Sequence, residues 1–294
     1  MVDFEFKKMQ IGNEILAYRE GGHGQQVIIL IHGNMSSSLH FDQLMLKLKP
    51  DYKIYAPDLR GFGHSSYHGR FDSLKTLSED LEHFVEKLRL KDFILLGWST
   101  GGGIIMQFAA DNPDLVKRLV LVESVGIMGY PINKKDENFM AMPEVFLKTK
   151  EEIAEDPVQV KPVLDALATK NGEFYKALWN AAIYNVGNQP DPELYEQYIA
   201  EMLLQRNLVD IDYALMYFNI SDEENVYGKG SGDVYKIKCD VDIVQGRDDL
   251  VVPASMAEGI YKALAPKATL HYLDKCGHNP MVDQLDALVS IIKK

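Results

Sequence analysis

The residues best suited to covalent chemistry lie in "GWSTGG", residues 97–102, where Ser99 stands between glycines directly after the apolar run "DFILL". A serine hydroxyl is a poor nucleophile alone. Chemistry here requires a base, a group to orient that base, and donors for a developing oxyanion. G-x-S-x-G carries meaning only between a strand and a helix, where a tight, strained turn lifts Oγ above the sheet edge. Gly97 and Gly101 would let strand and helix pass closely. "DFILLGWS" before Ser99 and "GGGIIMQFAADNP" after it supply that context. A glycine-rich turn with a capping serine is the bland alternative, and it leaves the partners below unexplained.

The base is His278 in "LDKCGHNP", and the acid is Asp249 in "VQGRDDLVVP". Each follows a strand pattern, so each falls at the carboxyl edge of the sheet, where open α/β sheets place their sites. The chain order Ser…Asp…His is that of serine triads on such sheets. His278 would take the Ser99 proton, and Asp249 would fix the imidazole tautomer and stabilise its cation. Asp248 is a neighbour easily misread for Asp249. Glu123, at the end of "RLVLV", is the reserve acid, because some triads draw the acid from that strand end.

The oxyanion donors expected are the backbone N–H of Thr100, at a helix N-terminus, and that of Asn34 in "HGNMSSS", with Met35 as the alternative. His32 and Gly33 open that loop. Trp98 either lines the pocket or packs against the turn. Of the eight histidines, His271 reads as structural within "TLHYL", and His64 and His68 as loop or rim residues. His23, His40 and His83 have no motif context.

The elements that must position these groups follow from the apolar pattern. "FEFKKMQI" and "EILAYRE" flank Gly12-Asn13 as a hairpin. "QVIILIHG", "YKIYAPDLRG", "DFILLGWS" and "KRLVLVES" are consecutive apolar runs, the signature of strands covered on both faces. The helical stripe of "SLKTLSEDLEHFVEKLRL" alternates with them, which argues an α/β fold with a mainly parallel sheet flanked by helices. From residue 125 to 236 the alternation stops. "EVFLKTKEEIAED", "GEFYKALWNAAIYN" and "ELYEQYIAEMLLQRNLVDIDYALMYFNI" read as helices with no strand between them, and "VYGKGSG" as a return linker. "VDIVQG", "PASMAEGIYKALA", "ATLHYLD" and "NPMVDQLDALVSIIKK" then resume strand–helix order, with Asn279 as a cap and Pro280 at the first helical position. The expected division is a core of residues 1–124 and 237–294, with a helical cap inserted at 125–236.

The 31 basic and 43 acidic residues leave a net charge of −12, which repels phosphate backbones and anionic lipid and argues against nucleic-acid partners. The two cysteines make neither a disulfide framework nor a metal motif, so no metal or cofactor is expected. No run approaches the ~20 apolar residues of a membrane span. The first twenty residues lack an apolar run followed by a cleavage site, and a cytoplasmic location is expected.

Together "HGNMSS", "DLRGFGHS", "GWSTGGG", "QGRDDLVVP" and "CGHNPMVDQ" resemble the α/β-hydrolase superfamily. The resemblance implies that fold, a variable helical cap, and a serine hydrolase acting on small-molecule esters through an acyl-enzyme. Residues 121–136, "LVESVGIMGYPINKKD", also resemble intracellular short-chain polyhydroxyalkanoate depolymerases and related esterases. Dehalogenases and epoxide hydrolases of this fold carry aspartate at the nucleophile position, where Ser99 stands, and the "HGGG" of many lipases is absent. C–C hydrolases and perhydrolases share a serine triad and stand as alternatives, as does a small-molecule receptor with little turnover.

Overall fold

Gly12, at φ 51°, turns β1 (Glu5–Ile11) back onto β2 (Glu14–Gly21) in the computed structural model, which describes residues 4–294. The apolar runs form β3 (Gln26–Ile31), β4 (Tyr52–Pro57), β5 (Phe93–Trp98) and β6 (Val116–Val122). Two short hairpins follow, β7 (Asn133–Lys135) with β8 (Ala141–Phe146) and β9 (Glu224–Asn225) with β10 (Gly228–Lys229). The strands β11 (Asp240–Gly246) and β12 (Ala268–Leu273) come last. One eight-stranded sheet runs β1-β2-β4-β3-β5-β6-β11-β12. β1 and β2 are antiparallel to their neighbours, and the other six strands are parallel.

Alternate residues of each parallel strand point to opposite faces. Ile29, Ile31, Leu95, Leu119 and Leu121 join one buried cluster; Ile28, Leu30, Leu96, Val120 and Val122 join the other. Eleven helices are described. α1 (Asp42–Leu48), α10 (Pro280–Asp283) and α11 (Leu285–Ile292) lie with the second cluster. α2 (Leu74–Leu88), α3 (Thr100–Asp111) and α9 (Ala254–Leu264) bury their apolar stripes in the first. α2 begins where Ser73 accepts the Lys75 amide and ends at Arg89, which turns left-handed at φ 54°.

Residues between β6 and β11 hold α4 (Lys150–Ala154), α5 (Lys161–Thr169), α6 (Gly172–Ala182), α7 (Pro192–Met202) and α8 (Leu208–Tyr217). This segment departs from the expected all-helical reading. The two hairpins lie inside it, and the second occupies the expected linker. The Asp136 carboxylate accepts the Asn138 and Met140 amides at 2.8 and 2.9 Å and closes the first hairpin. Most of its strand residues are exposed, so no inward–outward alternation marks them in the sequence. "EVFLKTKEEIAED" is therefore strand first and helix only from Lys150, started by a reciprocal Thr149–Glu152 capping box. The long "ELYEQ…FNI" pattern breaks between α7 and α8. The final helix breaks at Gln284, and Asn279 makes no side-chain cap bond, its amide being buried without a partner.

The inserted segment is packed onto the core. Trp179, Tyr184, Tyr198 and Met202 extend the cluster that contains Trp98 and Phe41. Ion pairs tie it to the core, Arg19 to Glu201 and Arg70 to Asp210, each at 2.5 Å, and Lys150 pairs with Asp210 within the segment at 2.8 Å.

Candidate active site

Ser99 is the single residue between β5 and α3, and its backbone is held at φ 56°, ψ −121°, a conformation an L-residue adopts only under constraint. The constraints are visible. The Ser99 amide donates to Val122 O at 2.9 Å, and its carbonyl accepts the Gly102 and Val125 amides at 2.9 and 3.2 Å. A Cβ on Gly101 would meet Ile31 O at 2.2 Å, and one on Gly97 would meet Gly101 O at 2.5 Å. Only glycines allow the helix to start this close to the strand.

His278 follows β12 and Asp249 follows β11. The imidazole Nδ1 lies 2.8 Å from Asp249 Oδ2, and both side chains are nearly fully buried. Asp249 Oδ1 accepts the Val251 and Val252 amides at 2.7 and 3.0 Å. Burial would lift this carboxyl, but attraction to His278, the bond to that ring and further bonds to Glu123 and the Val252 amide outweigh it. Asp249 is held below the usual carboxylate range.

Glu123 sits behind Asp249 rather than beside the imidazole. Fully buried, with both carboxyl oxygens 2.7 and 2.9 Å from the Gly246 amide, it bonds to Asp249. Burial, then the Asp249 charge, push its own titration well above the usual range. The structure brings Asp249 to the ring and leaves Glu123 as its support.

In the loop after β3, Met35 stands at φ 53°, and its amide is spent on Asn34 Oδ1 at 2.9 Å. The Asn34 amide has no hydrogen-bond partner among the described residues. Thr100 is the first residue of α3, where amides lack partners one turn back. His32 is buried, with Nδ1 donating to Gly33 O at 2.8 Å and Nε2 accepting the Leu59 amide at 3.0 Å, so it is a strut of this loop.

Ser99, Thr100, Asn34, Trp98 and His278 all line one cavity of about 200 Å³. The Ser99 hydroxyl makes no side-chain hydrogen bond to another described residue. Trp98 lines this cavity, and its indole N–H donates to His278 O at 2.7 Å, a contact neither expectation foresaw. Residues 121–136 contribute Val125, Tyr130 and Ile132 to the wall. The residues between β6 and β11 also reach His278 itself, whose amide donates to Ile183 O at 2.8 Å. Asp283 accepts both the Gly277 and the Asn185 amides, at 2.8 and 3.0 Å.

The other histidines lie elsewhere. His271 pairs with Asp242 at 2.7 Å on the neighbouring strand, and His64 and His68 sit near Glu201 and Glu14. His40 is buried against Tyr198, with its titration pushed down to about 3, chiefly by burial. Burial also pushes both thiols up, Cys239 to about 11, so neither rivals Ser99. No group of His, Cys, Asp or Glu suited to a metal occurs among the described residues, and no helix there is long and apolar enough to cross a membrane.

Sequence reasoning missed Asp212 and Tyr130, both on the cavity wall. Asp212 lies within the α8 pattern, and nothing in a helical stripe distinguishes a carboxylate facing a cavity from one facing water.

A family model described as the alpha/beta hydrolase fold matches residues 26–285. An uncharacterized protein of Mycobacterium tuberculosis is 34% identical over 111 residues, 38% of this chain and 32% of that protein. The match thus spans about a third of such a relative. Lipase 1 of Psychrobacter immobilis is 24% identical over 97% of this chain and 81% of its own. An esterase from a Rhodococcus species has a similar fold, with TM-score 0.69 at 22% identity over 98% of this chain and 97% of that one.

Proposed function

From the premise that the chain belongs to the α/β-hydrolase fold family, we propose that it hydrolyses carboxylic esters through Ser99, His278 and Asp249. His278 takes the hydroxyl proton as Ser99 Oγ attacks the ester carbonyl. The negative oxygen that forms is held by the Asn34 and Thr100 amides. His278 then returns the proton to the departing alkoxide, leaving an acyl group on Ser99, and next activates the water that releases the acid. Asp249 keeps the Nδ1 proton in place throughout. Residues 125–236 act as a cap that closes the cavity over the acyl arm and excludes water.

The observation that carries this reading is the strained Ser99 at the wall of the cavity that also receives the 2.8 Å His278–Asp249 pair. The likeness to a lipase and an esterase supports the bond type. The test is turnover of short p-nitrophenyl esters by wild type and Ser99→Ala, with mass spectrometry for a fluorophosphonate adduct on Ser99. Wild type turns over and carries the adduct; the variant does neither. Equal turnover by both proteins refutes the proposal, and an unlabelled wild type without turnover favours a binding protein. Esters of graded chain length, hydroxybutyrate oligomers included, define the substrate.

A further inference from the structure

The cavity beside Ser99 is walled mainly by apolar and aromatic side chains, among them Trp98, Trp179, Tyr130 and Leu208, yet one carboxylate, Asp212, faces it. Asp212 is nearly buried on α8. Its only hydrogen bond among the described residues is at Oδ1, from the Asn34 side-chain Nδ2 at 2.9 Å. Oδ2 has no partner there, and no cation pairs with this carboxylate.

Its neighbour in sequence shows the contrast. Asp210, two residues earlier, is paired with both Arg70 and Lys150. Asp212 receives one neutral donor. Burial lifts its titration to about 7 despite the Asn34 bond, with the Asp156 charge adding to the rise. Asp212 lines the cavity with Oδ2 unpartnered among the described residues, and a carboxylate oxygen with little access to water and no donor is unfavourable. A ligand that brings a donor removes that cost.

Two nearby donors are already committed, and the buried Tyr175 hydroxyl, though without a partner, makes no hydrogen bond to Asp212. The Tyr130 hydroxyl donates to Val251 O at 2.6 Å, and Gln205 Nε2 lies 2.8 and 3.0 Å from Asn34 Oδ1 and Asn207 Oδ1. Aromatic faces around the cavity also suit a cation.

We propose that Asp212 makes this cavity a binding site for a short apolar chain ending in a hydrogen-bond donor, an ammonium or a hydroxyl. Given the hydrolase reading above, the preferred substrates are esters whose acyl arm carries such a group. The carboxylate accepts the donor, while the apolar wall takes the methylene stem. Above about pH 8, where Asp212 is ionised and the titrations below are run, a chain bearing only an acceptor, such as an ether oxygen, gains nothing there.

The chain has two tryptophans, and both line this cavity, so intrinsic fluorescence reports its occupancy without any need for turnover. The experiment titrates hexylammonium, 1-hexanol and hexyl methyl ether into wild type, Asp212→Asn and Asp212→Leu. In wild type, one or both donors bind roughly tenfold more tightly than the ether, the scale of one good hydrogen bond to a charged group. Asp212→Leu abolishes or reverses that preference. Asp212→Asn preserves cavity volume and an acceptor oxygen; it keeps preference for the alcohol and loses preference for the ammonium. The wild-type order of the two donors identifies which source the site favours.

Equal affinity for all three ligands in wild type overturns the proposal. So does an unchanged preference in Asp212→Leu. Ester turnover and Ser99 labelling are read separately. A chain that binds donors through Asp212 but neither turns over nor labels would refute the hydrolase reading and leave the binding site standing. Turnover with no donor preference would do the reverse.

Discussion

The indole N–H of Trp98 donates to the carbonyl oxygen of His278 at 2.7 Å, so the residue before the strained serine anchors the backbone of the imidazole. Nucleophile and base are thereby referenced to one side chain. Trp98→Phe keeps an aromatic ring and removes this donor. The expected stability loss is about 1 kcal/mol, while kcat on a short ester falls roughly tenfold through misplaced imidazole. Thermal melts and steady-state kinetics separate the two effects; unchanged kcat would show that the bond positions nothing.

Asp249→Asn should leave the fold intact and lower kcat by roughly 10⁴, because the amide presents a donor to Nδ1 and favours the wrong tautomer. Burst kinetics with a chromogenic ester measure the acylation step directly.

Glu123 acts through Asp249. A glutamine can donate to Asp249 and accept from the Gly246 amide, reproducing both contacts of Glu123 without a charge. Glu123→Gln should therefore retain kcat within about threefold, whereas Glu123→Ala should lose about tenfold and shift the acid limb of the kcat/KM profile upward, since Asp249 loses a donor to its charged form. A glutamine variant as impaired as the alanine variant would mean that Glu123 is ionised.

Asp210 ties α8 to Arg70 and Lys150. Burial opposes its ionisation, but bonds from Arg70, Lys150 and Tyr67 bring its titration down to about 2, from 3.8 for an unperturbed group. The folded value is the lower one, so this stabilisation is complete above about pH 4 and lost as pH falls through 2. Arg70 is 67% exposed, and solvent screens that part of the cluster. Asp210→Asn should cost about 1–2 kcal/mol at pH 7 and nearly nothing at pH 2, measured by urea unfolding at each pH.

A methyl group at Gly101 would meet backbone oxygen, whereas one at Gly103 would meet the ends of Val125 and Leu74 side chains. Side chains yield and backbone does not. Gly101→Ala should cost roughly 3 kcal/mol and Gly103→Ala less, read from denaturation midpoints; the opposite order would contradict the close crossing of β3 and α3.

The parallel strands were legible because burial on both faces leaves an unbroken apolar run. Ser99, Asp249 and His278 were legible because each sits at a strand end beside turn residues. The β7–β8 hairpin was not, since its exposed strands are specified by the Asp136 turn and not by a buried face. Asn279 has the right residue type for a cap, but its side chain is turned into the protein, where tertiary packing overrides the local rule. Asp212 needed coordinates, because its chemistry depends on Asn34, far away along the chain.

The Ile183 carbonyl accepts a hydrogen bond from the His278 backbone N–H, and Asp283 clasps residues 185 and 277 together. Were residues 125–236 to swing away as a rigid body, they would pull on His278, the proposed base. Under the proposed reading, a ligand that reaches the cavity by side-chain parting alone leaves these bonds intact, and one that displaced residues 183–185 would unseat the imidazole it needs.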